Sequence, residues 1–161
     1  DSIGLRTIAT GLNKQKFDID VIWIHKPKSL LDPEQAIRFL EIIEPKEVIA
    51  ELLSKKDYTK TLNQYWKTKD PTPTTTYNEL MNEFYSRIDY CDIKFKPIGN
   101  NSGAKTDRGR IYIKYGTPDT IERDSNIDDK VVETWFYKQL KRSFIFIDND
   151  GNGKFQLVGN Q

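Results

Sequence analysis

Hydrophobic positions along the 161-residue chain recur first with a period of two, then for most of the middle with helical spacing, and finally with a period of two again. Near the N-terminus, "FDIDVIWIH" alternates and places Phe17, Ile19, Val21, Trp23 and His25 on one face. The preceding "IGLRTIAT" alternates too, and Gly11-Leu12-Asn13 between them predicts a hairpin across residues 3–25. Helices are predicted next. Asp32 ahead of Pro33, with Gln35 as capping partner, opens a stripe of Ala36, Phe39, Leu40 and Ile43. Pro45 restarts the chain into a stripe of Val48, Ile49, Leu52 and Leu53, and Asp57 caps a third helix with Tyr58, Leu62, Tyr65 and Trp66 inward. After the extended "KTKDPTPTTT", Thr76 and Glu79 read as a capping box. The strongest stripe of the chain follows: Tyr77, Leu80, Met81, Phe84, Tyr85, Ile88 and Cys91.

From Arg110 onward the period returns to two. "RIYIKY" sets Ile111, Ile113 and Tyr115 against Arg110, Tyr112 and Lys114, and "VVETWFY", "SFIFID" and "KFQLV" continue the alternation. Glycine agrees with this division: none lies between Gly11 and Gly99, whereas seven lie from Gly99 onward. The expected fold is α+β, a helical first part packed on a C-terminal four-stranded antiparallel meander, with an N-terminal β-hairpin ahead of it. The strongest helix is expected to cover the sheet. Residues 1–28 form the hairpin unit and 29–161 the α+β domain; the hairpin also reads as the tail of an upstream β domain, and the start at Asp1 reads as a processed or truncated chain.

Charge narrows the choice of partner. Twenty-five basic and twenty-four acidic residues leave a net charge of +1, which supplies no global field for nucleic acid or an anionic membrane. The longest apolar runs, such as Val21 to Ile24, fall far short of the roughly 20 residues that span a bilayer. One cysteine, Cys91, excludes an intrachain disulfide, and its place on an apolar helix face predicts a packed thiol. The only histidine, His25, has no second histidine with which to share a metal. No nucleophile, base and orienter group together, no glycine-rich phosphate loop opens a helix, and no cofactor is expected.

Three polar stretches remain. In "DNDGNG", Asp148, Asp150, Asn152 and Gly153 fit the opening of a calcium loop, but the twelfth position is Gly159 and the flanks are strands. A hairpin turn is therefore predicted, with no tight calcium site. "YWKTKDPTPTT" reads as a helix end followed by a stiff connection, with a peptide or glycan surface as the other reading. Tyr112 between Arg110 and Lys114 reads as a solvated strand face, or as a platform for a sugar or base.

The third stretch, "SGAKTDRGRIYIKYGTPDTIE", together with "YWKTKDPTPTTTYNELMNEFYSRIDYCDIKF", "ETWFY" and "FIFIDNDGNGKFQLV", resembles the bacterial GWxTD-domain family over Asp32 to Val158. The Gly-Trp-x-Thr-Asp motif falls on Gly103, Ala104, Lys105, Thr106 and Asp107, so the motif tryptophan is alanine here. The resemblance implies an exported envelope protein, periplasmic or outer-membrane-associated, with a β-rich region ahead of the domain. It implies no established activity.

Two functional readings follow. The first is a noncatalytic envelope domain that binds a protein partner or the upstream part of its own chain. The second is a glycan-binding module or glycan-acting enzyme whose polar cleft is lined by Arg87, Asp107, Arg108 and Arg110, with Tyr112 beside it. For Asp107 itself a structural part is expected: the chain turns at Gly109, and the carboxylate accepts hydrogen bonds from backbone N–H groups or from Arg87 or Arg110, fixing how the following strand joins the sheet.

Overall fold

The structure, a computed structural model, describes residues 7–10, 16–19, 23–75, 77–99, 102–125 and 130–161. Strands β1 (Thr7–Thr10) and β2 (Lys16–Ile19) pair antiparallel, Thr7 opposite Ile19. The predicted turn at Gly11 to Asn13 lies outside the described residues. Trp23 packs edge-on against Tyr77, while His25 is exposed.

Three short helices then build one layer. Helix α1 (Pro33–Phe39) starts where Asp32 accepts a hydrogen bond from the Gln35 N–H at 3.1 Å. A tight turn at Leu40–Ile42 and Pro45 lead into α2 (Lys46–Leu53), and Asp57 caps α3 (Tyr58–Lys67) through the Lys60 N–H at 2.9 Å. The long helix α4 (Glu79–Lys94) is capped by Asn78, whose Oδ1 accepts from the Met81 N–H at 2.8 Å. Thr76 lies outside the described residues. Because the helix begins after Tyr77 and turns only part of its stripe inward, Phe84, Tyr85, Ile88 and Cys91 are buried while Tyr77 and Leu80 are exposed. The core of this layer is aromatic: Trp66, Phe84 and Tyr85 contact one another at centroid distances of 5.0 to 5.8 Å. The Tyr85 hydroxyl donates to the Ala36 carbonyl at 2.9 Å and accepts from Trp66 Nε1 at 3.4 Å, so its one buried polar group is paired.

Residues 110–115 are not a strand. The segment read as a strand lies in helix α5 (Asp107–Tyr115), opened by Thr106 and closed at Gly116, whose φ is 81°. Its alternation is genuine but has another cause. Helix α5 lies between two layers and buries side chains on opposite sides: Ile113 belongs to the helical core, whereas Ile111 joins the core of the sheet. A helix enclosed on both sides loses the single apolar stripe and so imitates a period of two.

The meander therefore begins later, with β3 (Thr120–Ser125), and continues through β4 (Val131–Tyr137), β5 (Arg142–Asp148) and β6 (Gln156–Asn160) in the order β3-β4-β5-β6. Four antiparallel strands behind a helical first part are the expected α+β fold. The edge strand "TIERDS" carries no alternating apolar face, which left it without a signal. On the inner face Trp135 and Tyr137 of β4 adjoin Phe144 and Phe146 of β5. They receive Ile111, Tyr112 and Tyr115 from α5 and Phe95 from the chain just after α4, so α5 rather than the longer α4 covers the sheet.

Candidate functional site

The polar stretch singled out in the sequence is the joint between α4, α5 and the sheet. Gly103 lies so close to the last turns of α4 that a Cβ there would stand 2.0 Å from the Cys91 carbonyl oxygen. Only glycine fits. Ala104 behind it is fully buried, and its N–H donates to Asp92 Oδ1 at 3.0 Å, an oxygen that also accepts from the Ser102 hydroxyl at 2.8 Å. The position that the motif gives to tryptophan is thus a core position, filled here by a small side chain. Thr106 donates its hydroxyl to the Gly103 carbonyl at 2.6 Å and accepts from the Gly109 N–H at 3.0 Å, closing the loop and starting the helix with one side chain. Gly109 is needed for the same approach, since a Cβ there would meet the Gly103 oxygen at 2.1 Å.

Asp107 does accept from a backbone N–H. Its Oδ2 takes the Leu157 N–H of β6 at 2.8 Å, tying the first turn of α5 to the edge of the sheet. The turn that places it is the helix start at Thr106, not a bend at Gly109.

Arg108 is buried, with Nη1 at 3.4 Å from Glu133 Oε2 and Nη2 donating to the Gly153 carbonyl at 3.3 Å. Its guanidinium carbon stands 5.1 Å from the Phe95 ring and 3.8 Å from that of Phe155. Glu133 on β4, itself 1% exposed, also accepts from Arg123 Nε at 2.9 Å and from the Trp135 indole N–H. Burial presses the Arg108 pKa downward while Glu133 opposes it, and an arginine so placed stays charged. This buried pair was not visible in the sequence: Glu133 is an ordinary acid in "VVETWFY", and only the strand period put it on the inner face with Trp135.

The other predicted residues are dispersed. Arg87 on α4 donates through Nη1 to the Ile113 carbonyl at 3.0 Å and through Nε to Glu83 at 2.7 Å, at the opposite end of α5 from Arg108. Arg110 points to solvent. Tyr112 stacks on Tyr90 at 4.7 Å with rings 14° from parallel, and its hydroxyl pairs with that of Thr117 at 3.0 Å. Arg87, Asp107, Arg108 and Arg110 therefore do not line one cleft. At "DNDGNG", Gly151 and Gly153 adopt φ of 63° and 81°, the left-handed geometry that the turn prediction called for. Among the described residues no three His, Cys, Asp or Glu side chains group to hold a metal ion.

A second feature was missed altogether. Between α3, α4 and α5 runs a cleft of about 410 Å³ with Ile43, Leu80, Phe84 and Tyr115 along its walls and Arg87 and Lys114 among its charged groups. Leu80 and Ile43 are 46% and 41% exposed. Their helical spacing read as core, and nothing in the pattern distinguishes a core stripe from a cleft wall.

A family model described as the GWxTD domain matches residues 8–159. The chain belongs to the GWxTD-domain family. The match runs beyond the Asp32 to Val158 resemblance toward the N-terminus and takes in β2 and all of β1 but Thr7. Comparison with curated proteins and with solved structures returned no match. In this GWxTD domain the motif segment is the clamp that seats α5. Among the described residues no helix is long and apolar enough to cross a membrane.

Proposed function

We propose that this GWxTD domain is a noncatalytic interaction domain of the cell envelope that binds another protein through the cleft between α3, α4 and α5. The observation that carries the reading is the exposure of Leu80 and Ile43, two large apolar side chains on the walls of one cleft. Exposed apolar side chains that gather at a concave site mark contact surfaces more often than isolated ones do. The charged residues of the motif region lend support from the other side, because Asp107 and Arg108 are engaged in bonds that hold α5 to the sheet. The envelope location proposed here rests on the family resemblance alone.

A photo-crosslinking residue at position 80 tests this in cells of the native host. The reading expects one discrete crosslinked protein that disappears when Ile43→Glu is added, while the same probe at exposed Lys60 yields none. A product that is equally strong from both probe positions, or absent from position 80, contradicts it.

A further inference from the structure

The turn between β5 and β6 has a feature that a plain hairpin tip does not account for. Asp148 is 4% exposed, and its Oδ2 accepts the Gly153 N–H at 2.8 Å. Its Oδ1 is buried without a hydrogen-bond partner among the described residues. A charged oxygen left so costs more than the bond it forgoes, and folded proteins keep few of them. Arg108 acts on Asp148 through its charge but gives Oδ1 no hydrogen bond, since that guanidinium donates to Glu133 and to the Gly153 carbonyl. Both carboxylate oxygens belong to one rigid planar group, so the bond from the Gly153 N–H also restrains the unpaired oxygen.

Other oxygens of the turn carry the same chemistry. Asn152 Oδ1 accepts the Lys154 N–H at 2.9 Å and retains a second lone pair, while the Asp150 carboxylate is exposed. Asp148, Asp150 and Asn152 hold the first, third and fifth positions of a calcium loop, Gly153 the sixth, and the seventh supplies a main-chain carbonyl from Lys154. All are hard oxygen donors, which suit calcium and do not suit zinc or copper.

We propose that the β5–β6 turn is a low-affinity calcium site formed by Asp148, Asp150, Asn152 and the Lys154 carbonyl, with water completing the shell. Low affinity follows from the donor count. Only two carboxylates contribute, the twelfth position is Gly159 instead of a bidentate glutamate, and Arg108 stands on the Gly153 carbonyl. A dissociation constant on the order of 10⁻⁴–10⁻³ M is expected, the range of weak extracellular calcium modules and well above that of a tight sensor. The ion would satisfy the Oδ1 of Asp148 that the hairpin leaves unpaired.

Calcium chloride titrated into the isotope-labelled 161-residue chain, read by amide NMR shifts, tests the proposal. The Gly151 and Gly153 amides should shift saturably in that concentration range, magnesium should produce no saturable shift, and Asp150→Asn should weaken the response about tenfold through its lost charge. Asp150 is exposed, so this variant should melt like the parent when calcium is absent. Turn amides that never saturate, an undiminished response in Asp150→Asn, or an equal response to magnesium would each overturn the assignment.

Discussion

Arg108 of α5 and Glu133 of β4 meet at 3.4 Å with side chains only 9% and 1% exposed, so the helix and the sheet are joined by a charge pair with little access to water. Arg123 reaches the same Glu133 oxygen at 2.9 Å from a side chain that is 67% exposed. The two arginines are therefore not equivalent. Removing Arg108 leaves Glu133 buried against one surface cation, and breaking a buried pair in this way costs about 3–5 kcal/mol. Arg123→Ala should cost about 1 kcal/mol or less, as surface pairs do. Urea midpoints of Arg108→Met and Arg123→Ala measure the difference, and Glu133→Gln added to Arg108→Met should recover part of the loss.

A second contrast lies on α4. Phe84 is 6% exposed inside the aromatic cluster, whereas Leu80, one turn earlier, is 46% exposed on the cleft wall. Phe84→Ala should cost about 3–5 kcal/mol through lost burial and the cavity left behind. Leu80→Ala should stay within about 0.5 kcal/mol. Thermal melts of the two variants, run side by side, check the assignment of the face.

Gly109 sits inside α5, where alanine would ordinarily be about 1 kcal/mol better. Here a Cβ would stand 2.1 Å from the Gly103 oxygen, a backbone atom that cannot swing aside. Gly109→Ala should therefore destabilise by about 1–3 kcal/mol or more, as overpacking does, in spite of its helix propensity. A melting temperature at or above that of the parent would mean that the motif loop does not lie against α5.

Alkaline pH should weaken the fold through its buried acids. Burial pushes the Cys91 thiol up to about 12 from its ordinary 9.0, and burial also raises the hydroxyls of Tyr85 and Tyr137. Above the ordinary pKa the unfolded chain gives up protons that the folded chain keeps, so stability is full below about pH 9 and falls as pH rises beyond it. Urea midpoints across that range measure the decline. A thiol reagent should label Cys91 slowly in the native protein and rapidly in concentrated urea.

The helices with caps were legible because each had both a signal for its start and one buried face: Asp32 and Asp57 do cap α1 and α3, and Val131–Tyr137 forms one strand with the extent that its alternation predicts. Helix α5 was not legible as a helix, since burial against α4 and the sheet put Ile111 and Ile113 in different cores and left an apparent strand pattern. β3 was missed for the opposite reason, an exposed edge having no apolar face to display. At the site, a carboxylate in the first turn of α5 is a ready acceptor for a backbone N–H, but that the donor is Leu157, fifty residues away in sequence, depends on tertiary packing that no local pattern encodes. Asp92 escaped notice for the same reason: its partners Ser102 and Ala104 come close only once the loop has crossed α4.

On the function proposed above, the motif segment holds α5 in place while partner contact occurs at the cleft. The most direct measurement combines, in an Asp107→Ala protein carrying the crosslinking residue at position 80, the denaturant midpoint with capture by the folded fraction. A loss of about 1.5 kcal/mol is expected, the lower end for a bond to a charged group because this one faces solvent, together with undiminished capture per folded molecule. An unchanged midpoint with capture abolished would contradict it and place the binding site at Asp107.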